Sequence, residues 1–240
     1  MAKREGGEMT PCYALYSGGK DSTSVVQYLA ERNLLLGVVS FDTGISAPGW
    51  LEFIGDTAKH RGWPLEIYKT PVSYDALVLK YGFPGPGAHG MFMNYLKGRC
   101  VRQFKKAHPR AVLASGVRSG ESNRRFVNTK EWSDFEGVKV WAPIYNWTTE
   151  QAWDYFNSHG FERSPVYQSL CISGDCLCGA YATKLERVAI QAFYPEVFDR
   201  IAKLEKQTGQ IWGWGAFRQK KRKQMELFCA DCESPSSQSS

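Results

Sequence analysis

A short run of glycine, serine and charged residues near the start of the chain could bind a phosphate group. The run consists of Ser17, Gly18, Gly19, Lys20, Asp21 and Ser22, and it separates an apolar segment from a helix-like segment. Two glycines at such a junction let the backbone approach an anion, and the following helix offers free N–H groups and a positive dipole end. Lys20 adds a mobile cation. The run therefore predicts a phosphate-binding loop that differs from G-x-x-x-x-G-K-[ST], with a plain connecting turn as the alternative.

Charged residues further along the chain could complete such a site. Arg118 and Arg125 can each hold phosphate or sulfate oxygens through two parallel N–H bonds, and Glu121 could orient an arginine or contact Mg²⁺. Asp21 and Asp42 are the other carboxylates that could contact Mg²⁺, which prefers few carboxylates together with phosphate oxygens. A solvated basic face is the alternative interpretation of the arginines.

Five of the seven cysteines form two groups in the last third of the chain: Cys171, Cys176 and Cys178, then Cys229 and Cys232. Four thiolates can bind a [4Fe–4S] cluster or a structural Zn²⁺ ion. Because zinc ligands usually pair as C-x2-C, the C-x4-C-x-C spacing of the first group favours iron–sulfur over zinc. The fifth cysteine would then be a reactive thiol or an exchange ligand. A small buried apolar residue is the alternative for Cys171.

Cys100 stands apart from these groups, inside the basic run of residues 99–105. Positive neighbours at helical spacing would lower the pKa of its thiol and favour the thiolate. We therefore consider Cys100 a candidate catalytic thiol or cluster ligand, with a packed core residue as the alternative. Cys12 precedes the first strand, and we interpret it as structural.

Alternating strand-like and helix-like segments must position these residues. Apolar runs predict strands at residues 13–16, 34–41, 65–68, 111–114 and 138–141. A helix is predicted over residues 48–61, and a capping box at residues 148–151 predicts another over residues 150–158. The alternation is typical of an α/β fold with a Rossmann-like, doubly wound parallel sheet.

In such sheets, ligands bind beyond the carboxyl ends of the strands. That rule brings together residues 17–22, residues 42–44 and residues 116–125. We predict a nucleotide-binding α/β domain over residues 1–165, a helical cysteine-rich lobe over residues 166–233 and a disordered tail over residues 234–240.

The net charge and the hydropathy of the chain indicate which kinds of partner it binds. The net charge of +6 and a pI near 8.9 suit an anionic ligand. No apolar stretch suits a bilayer and the N-terminus lacks a signal-peptide core, so we expect a cytoplasmic protein without a membrane partner. The basic residues 220–223, with Trp212, Trp214 and Phe217 nearby, could bind a nucleic acid acceptor. A packed amphipathic helix with a solvated basic face is the alternative.

Four blocks of sequence resemble a known family. Residues 16–22 resemble the S-G-G-x-D-S signature of PP-loop ATP pyrophosphatases, and residues 41–44 contain the D-T-G of phosphoadenosine phosphosulfate (PAPS) reductases. Residues 116–125 match G-x-R-x-x-E-S-x-x-R, and residues 143–155 match P-[IL]-x-x-W-x-x-x-x-x-W-x-Y of that family. In the last block we interpret Trp147, Trp153 and Tyr155 as packing residues.

The resemblance implies an adenine nucleotide site. Its binding residues would be Ser17, Gly18, Gly19, Lys20, Asp21, Ser22, Asp42, Thr43, Gly44, Gly116 and Arg118. The residues that it implies for the reaction are Lys20, Asp21, Arg118, Glu121, Arg125 and Cys100.

The cysteine-rich end departs from true reductases, because the E-C-G-x-H motif with their catalytic cysteine is missing. Residues 176–205 are instead similar to phage and archaeal reductase-like proteins and to sulfur-transfer enzymes of DNA phosphorothioation, which often hold an iron–sulfur cluster. The resemblance therefore predicts cleavage of ATP to AMP and pyrophosphate by adenylation of an acceptor, followed by sulfur transfer from a sulfur donor. One alternative is a PAPS or adenylyl sulfate reductase that uses a thioredoxin-like reductant. The other is a non-catalytic nucleotide-binding subunit of a larger complex.

Overall fold

A six-stranded, mostly parallel sheet forms the centre of the protein in the computed structural model, which describes residues 11–120 and 130–213. The strands are β1 (Cys12–Leu15), β2 (Leu35–Asp42), β3 (Leu65–Lys69), β4 (Leu113–Ala114), β5 (Trp132–Phe135) and β6 (Val138–Trp141). They lie in the order β3-β2-β1-β4-β6-β5, and β5 is antiparallel to β6 while the other neighbours are parallel. The predicted Rossmann-like α/β fold is confirmed.

The register places β1 at the centre of the sheet, with Ala14 paired to Val38 on one side and to Ala114 on the other. β4 is shorter than predicted, although the carbonyl of Val112 still accepts a hydrogen bond from the amide of Tyr13 at 3.0 Å. The sequence analysis missed β5, which forms a hairpin with β6.

Helices cover the crossovers between the strands. Before β4 the chain forms α1 (Lys20–Ala30), α2 (Trp50–His60), α3 (Tyr74–Tyr81), α4 (His89–Met93), a π-helical turn (Asn94–Gly98) and α5 (Arg99–Ala107). After β6 it forms α6 (Thr149–Ser158), α7 (Pro165–Leu170), α8 (Lys184–Phe193) and α9 (Pro195–Thr208). Thr148 and Gln151 form the predicted capping box of α6. Within the described residues, no helix has the length and apolar character needed to cross a bilayer.

Side chains alternate between the two faces of the sheet and build two apolar clusters. Ala14 and Val38 belong to the larger cluster, whereas the neighbouring Val39 belongs to a smaller one with Cys100 and Phe104. The larger cluster contains residues from before and after position 165. The domain boundary at that position stays a prediction.

Candidate functional site

The glycine and serine loop between β1 and α1 has the geometry of a tight strand-to-helix turn. Gly18 has a φ of +78°, and a Cβ there would meet Ile54 at 3.0 Å, so only glycine fits without strain. The Ser22 hydroxyl donates to the carbonyl of Gly19 at 2.9 Å and accepts from the amide of Ser17 at 3.2 Å. The Trp50 indole donates to the carbonyl of Ser17 at 2.8 Å and holds the loop against α2.

Positive charges outnumber negative charges among the three charged side chains that meet at this loop. Lys20 Nζ lies 3.0 Å from Asp21, and the same carboxylate accepts a 2.8 Å hydrogen bond from Arg118 Nε. Two cations therefore share one carboxylate, and the trio keeps a net positive charge. Arg118 is only 1% exposed, and its Nη2 has no hydrogen-bond partner within the described parts of the chain. Arg118 itself does not line the cavity beside the loop, so its charge acts on that cavity through Asp21.

Gly116 lets the segment after β4 pack directly on the first turn of α1. A Cβ at this position would lie 2.8 Å from the carbonyl carbon of Asp21 and from the amide nitrogen of Ser22. Real Cβ atoms do not approach backbone so closely, so a larger residue would push the loop and Arg118 apart. The sequence analysis placed Gly116 and Arg118 at this site, and the structure brings both to it.

The predicted residues 42–44, at the end of β2 and just after it, do not line the cavity beside the loop. Asp42 accepts a hydrogen bond from the amide of Gly44 at 2.8 Å, and the Thr43 hydroxyl donates to the carbonyl of Asp175 at 3.2 Å. Both side chains are buried, and neither lines the cavity beside the loop. Direct contact of residues 42–44 with a nucleotide stays a prediction.

A cavity of about 580 Å³ adjoins the loop and is lined by both polar and apolar residues. Its polar lining includes Ser17, Gly19, Lys20, Asp21 and Ser22. Its apolar lining includes Leu15, Val39, Phe41, Val117 and Phe135. This volume and this mixed lining suit a ligand that has both an apolar and an anionic group.

The segment that carries the first cysteine group lines the same cavity through Cys171, Ser173 and Asp175. It is fastened to the chain after β2 by hydrogen bonds from the amide of Ala47 to Gly174 and from the amide of Leu177 to Ile45, at 2.8 and 2.7 Å. A Cβ on Gly19 would lie 3.3 Å from that of Ser173. The cysteine segment is therefore part of the wall around the phosphate loop.

Cys176 and Cys178 form a pair of free thiols in this wall. A hydrogen bond from Cys178, together with the charge of Lys97, lowers the pKa of Cys176 to about 7 despite its burial. The same hydrogen bond and burial raise the pKa of Cys178. Lys97 forms an ion pair with Asp175. Burial would lower the pKa of Lys97, but Asp175 and the thiols outweigh it and raise that pKa.

The cysteine cluster predicted from the spacing is only partly represented in the described residues. Cys171 is disulfide-bonded, so in this structure it is not one of the four thiolate ligands that the five clustered cysteines could supply. Across residues 11–120 and 130–213, no group of three or more histidine, cysteine, aspartate and glutamate side chains is arranged to hold a metal ion. Cys229 and Cys232 lie outside the described residues, as do Glu121, Arg125, Trp214, Phe217 and residues 220–223.

The expected lowering of the Cys100 pKa is wrong. Cys100 is fully buried in the smaller apolar cluster, and its thiol donates to the carbonyl of Leu96 at 3.4 Å. Burial raises the pKa of this thiol to about 11. The basic residues next to it in sequence do not offset the loss of water, so the alternative of a packed residue describes Cys100 better than a catalytic thiol.

Several lining residues were missed by the sequence analysis, namely Lys97, Ser173, Asp175 and Tyr167. The position of Asp175 beside Cys176 was the one available signal, because a polar residue inside a cysteine group often belongs to the same site. Lys97 gave no signal, since it is one of several basic residues around α5.

Comparisons with known proteins identify the family of this chain. The phosphoadenosine phosphosulfate reductase domain matches residues 11–180. An uncharacterized 37.8 kDa protein of Escherichia phage 186 is 32% identical over 114 residues, or 46% of this chain and 34% of the phage protein. Sulfate adenylyltransferase subunit 2 2 of Shewanella sediminis is 26% identical over 185 residues, or 64% of this chain and 59% of that protein.

The chain thus spans between 34% and 59% of the length of these two relatives. Among solved structures, the PAPS reductase of Candida auris in its phosphate complex superposes with a TM-score of 0.51 at 15% identity. That alignment covers 67% of this chain and 78% of the reductase, and it supports the fold alone. Since the family match includes the phosphate loop and every described strand, this chain belongs to the phosphoadenosine phosphosulfate reductase domain family of the PP-loop superfamily.

Proposed function

We propose that this protein is an enzyme that binds ATP, transfers its adenylyl group to an acceptor and releases pyrophosphate. The observation that carries the proposal is the shared carboxylate of Asp21, which leaves Lys20 and Arg118 with a net positive charge beside the phosphate loop. A triphosphate would supply the missing anion. The name of the Shewanella relative, a sulfate adenylyltransferase subunit, supports the same chemistry.

In this proposal the polar residues that line the cavity hold the triphosphate. Lys20 and the first amides of α1 hold phosphate oxygens and stabilise the charge that develops during transfer, while the buried Arg118 contributes its positive charge from behind Asp21. An oxygen of the acceptor attacks the α-phosphorus, and the bond from that phosphorus to the bridging oxygen breaks. Pyrophosphate leaves with the bonding electron pair, and the acceptor carries AMP.

A Mg²⁺ ion would be held by Asp21 rather than by Asp42. The Asp21 carboxylate lines the cavity, whereas the Asp42 carboxylate is buried and accepts a hydrogen bond within its own turn. Mg²⁺ usually takes one or two carboxylates together with phosphate oxygens and water. The ion would neutralise phosphate charge and orient the leaving pyrophosphate.

The apolar residues that line the cavity would hold the adenine ring. Phe41 and Phe135 offer aromatic faces, and Val39 and Val117 complete the lining. Burial of a flat ring against these side chains favours binding through removal of apolar surface from water. The apolar residues in the lining therefore support a nucleotide over a simple anion such as sulfate.

The second half of the proposal is sulfur transfer, supported by the thiol pair of Cys176 and Cys178. Cys176, with its pKa near 7, is about half ionised at neutral pH. A donor of the persulfide class would transfer its outer sulfur to the Cys176 thiolate and leave as a thiol. The outer sulfur of that Cys176 persulfide would attack the acceptor carbon that carries the adenylyl oxygen, and AMP would leave as the carbon–oxygen bond breaks. The Cys178 thiol would then attack the Cys176 sulfur and break the sulfur–sulfur bond, which releases the product thiol and leaves a Cys176–Cys178 disulfide for a thioredoxin-like dithiol to reduce.

The described residues offer two free thiols close together, Cys176 and Cys178, and the proposed step uses these two. Cys229 and Cys232 lie outside the described residues, so a [4Fe–4S] cluster that includes them stays a prediction, with structural Zn²⁺ as its alternative.

The test is ATP binding and pyrophosphate release by the purified full chain. Lys20→Met should weaken ATP binding by about tenfold or more, since hydrogen bonds to charged groups contribute about 1.5–3 kcal/mol. Ser17→Ala should also reduce pyrophosphate release, because it removes a hydroxyl from the loop. Lys59→Met is the matched control, as Lys59 is an exposed lysine of α2.

Equal affinity of the wild type and Lys20→Met for ATP would refute the proposed site. Tight ATP binding without turnover, together with co-purification of a partner, would instead select the non-catalytic subunit. A nucleic acid acceptor stays a prediction, because the basic residues that suggested it lie outside the described residues.

A reductase is the second candidate, and the family match favours it. In that reaction two thiols would reduce the sulfonyl group of PAPS, with release of sulfite and of the bisphosphorylated nucleotide and formation of a disulfide. A thioredoxin-like dithiol would then restore the thiols. Sulfite release from PAPS that disappears in Cys176→Ala would support this function, and pyrophosphate release from ATP would not be expected.

A further inference from the structure

Trp153 of α6 lies next to the lysine of the phosphate loop. Lys20 Nζ is 5.4 Å from the centroid of the Trp153 ring, a distance at which an ammonium group is attracted to the negative face of an indole. Lys20 is only 7% exposed, so little water competes with this attraction. From the sequence alone, Trp153 is expected to be a packing residue.

The Trp153 ring has a second cationic neighbour and packs against two other aromatic rings. The Arg163 guanidinium lies 4.4 Å from the ring centroid, and the rings of Phe156 and Tyr167 meet the indole edge to face at 5.7 and 5.8 Å. Tyr167 itself lines the cavity. The indole Nε1 is buried without a hydrogen-bond partner among the described residues, so no polar contact explains its position.

An aromatic face suits Lys20 better than a second carboxylate would. A carboxylate would cancel the charge of the ammonium, whereas a ring stabilises it and leaves its formal charge available to an anion. Asp21 already divides its charge between Lys20 and Arg118. The ring therefore supplies the remaining stabilisation of a nearly buried cation without weakening its attraction for phosphate.

We propose that Trp153 is a positioning residue that holds the Lys20 ammonium, charged and oriented, for the phosphate groups of the nucleotide. The inference rests on the proposed ATP site and adds to it a residue whose effect passes through Lys20. Trp153 need not touch the nucleotide.

The experiment is a double-mutant cycle on the affinity for ATP, measured by calorimetry on the full chain. Trp153→Leu should weaken ATP binding by about tenfold, the effect of a desolvated cation–π contact. Trp153→Phe keeps a ring and should recover most of that loss. In the Lys20→Met background, Trp153→Leu should have almost no further effect, because the cation on which it acts is gone.

Adenosine and a second aromatic residue provide the controls. Adenosine has no phosphate, so its affinity should be the same in the wild type and Trp153→Leu. Tyr155→Leu removes an aromatic residue of the same helix that faces Glu31 instead of Lys20, and it should leave ATP affinity unchanged. Melting temperatures of all variants would show whether they are folded.

The possible outcomes distinguish a failure of the Trp153 inference from a failure of the proposed ATP site. If Trp153→Leu weakens ATP binding by the same factor in the wild-type and Lys20→Met backgrounds, the ring has only a packing role and the inference is wrong. An equal loss of adenosine binding would lead to the same conclusion. If the wild type fails to bind ATP, or Lys20→Met binds it normally, the proposed ATP site is wrong, and the inference falls with it.

Discussion

Cys100 and Cys176 behave in opposite ways, and the contrast separates sequence neighbours from spatial neighbours. Cys100 follows Arg99 and precedes Arg102 and Lys105, so its sequence context favours a thiolate. Cys176 follows Asp175, whose negative charge opposes ionisation. The structure reverses this order, with a pKa near 11 for Cys100 and near 7 for Cys176.

The reversal arises from the direction in which each side chain points. Cys100 points from α5 into the smaller apolar cluster, while Arg102 and Lys105 on the same helix are exposed. Cys176 receives a hydrogen bond from Cys178 and faces Lys97, which comes from the π-helical turn far away in sequence. A thiol thus responds to the groups that it contacts, and charges on the opposite side of its helix have little effect.

The largest expected effect is in thiol alkylation. In metal-free protein at pH 7, iodoacetamide should modify Cys176 at least about 100-fold faster than Cys100, because a pKa difference of this size outweighs the lower nucleophilicity of the more acidic thiolate. Peptide mass spectrometry over time would measure both rates. Comparable rates in folded protein would contradict the contrast, and protection of Cys176 that chelators remove would point to a bound metal.

A smaller effect is expected when the spatial neighbour of Cys176 is removed. Lys97→Met takes away a positive charge and leaves Asp175 unpaired, and both changes favour the protonated thiol. The midpoint of the alkylation rate against pH should rise by about one unit, and the rate at pH 7 should fall about fivefold.

Lys105→Met is the matched control for this change, since Lys105 is an exposed lysine close in sequence to Cys100. It should leave the alkylation of both thiols as it is in the wild type. A midpoint that stays fixed in Lys97→Met would show that Lys97 does not govern Cys176.

The smallest expected effect is on how the free energy of unfolding depends on pH. Above about pH 8.5 an unfolded cysteine loses its proton, whereas Cys100 in the fold keeps it until about pH 11. The unfolded state then binds fewer protons than the folded state, so Cys100 makes the free energy of unfolding fall as pH rises through this window. Cys100→Ala should reduce that fall by about 1 kcal/mol between about pH 8.5 and 10.

Cys176→Ala should act with the opposite sign, since the folded pKa of Cys176 is lowered. Cys176 contributes stability that is present above its unfolded pKa and is lost as pH falls through about 7. Urea unfolding of the three proteins at a series of pH values would compare these slopes. Parallel curves for Cys100→Ala and the wild type would contradict the buried, protonated state of Cys100.

Local patterns predicted much of the fold, including the strand-to-helix turn between β1 and α1. The apolar run of β2 and the capping box of α6 depend on residues close in sequence, and both were found as predicted. β5 was missed because Trp132–Phe135 has only two partly buried and two exposed residues, and it becomes a strand by pairing with β6. Lys97 and Asp175 were missed because their contact joins distant segments.

The sequence by itself determined the order of the chemical features along the chain: a glycine turn before α1, an arginine after β4, and cysteines after α7. Those features follow from local backbone preferences and from side-chain types. Only the tertiary structure decided which thiol is ionised, which carboxylate lines the cavity and which ring lies beside Lys20. Burial and charge act through space over a few ångströms, and sequence separation does not measure that distance.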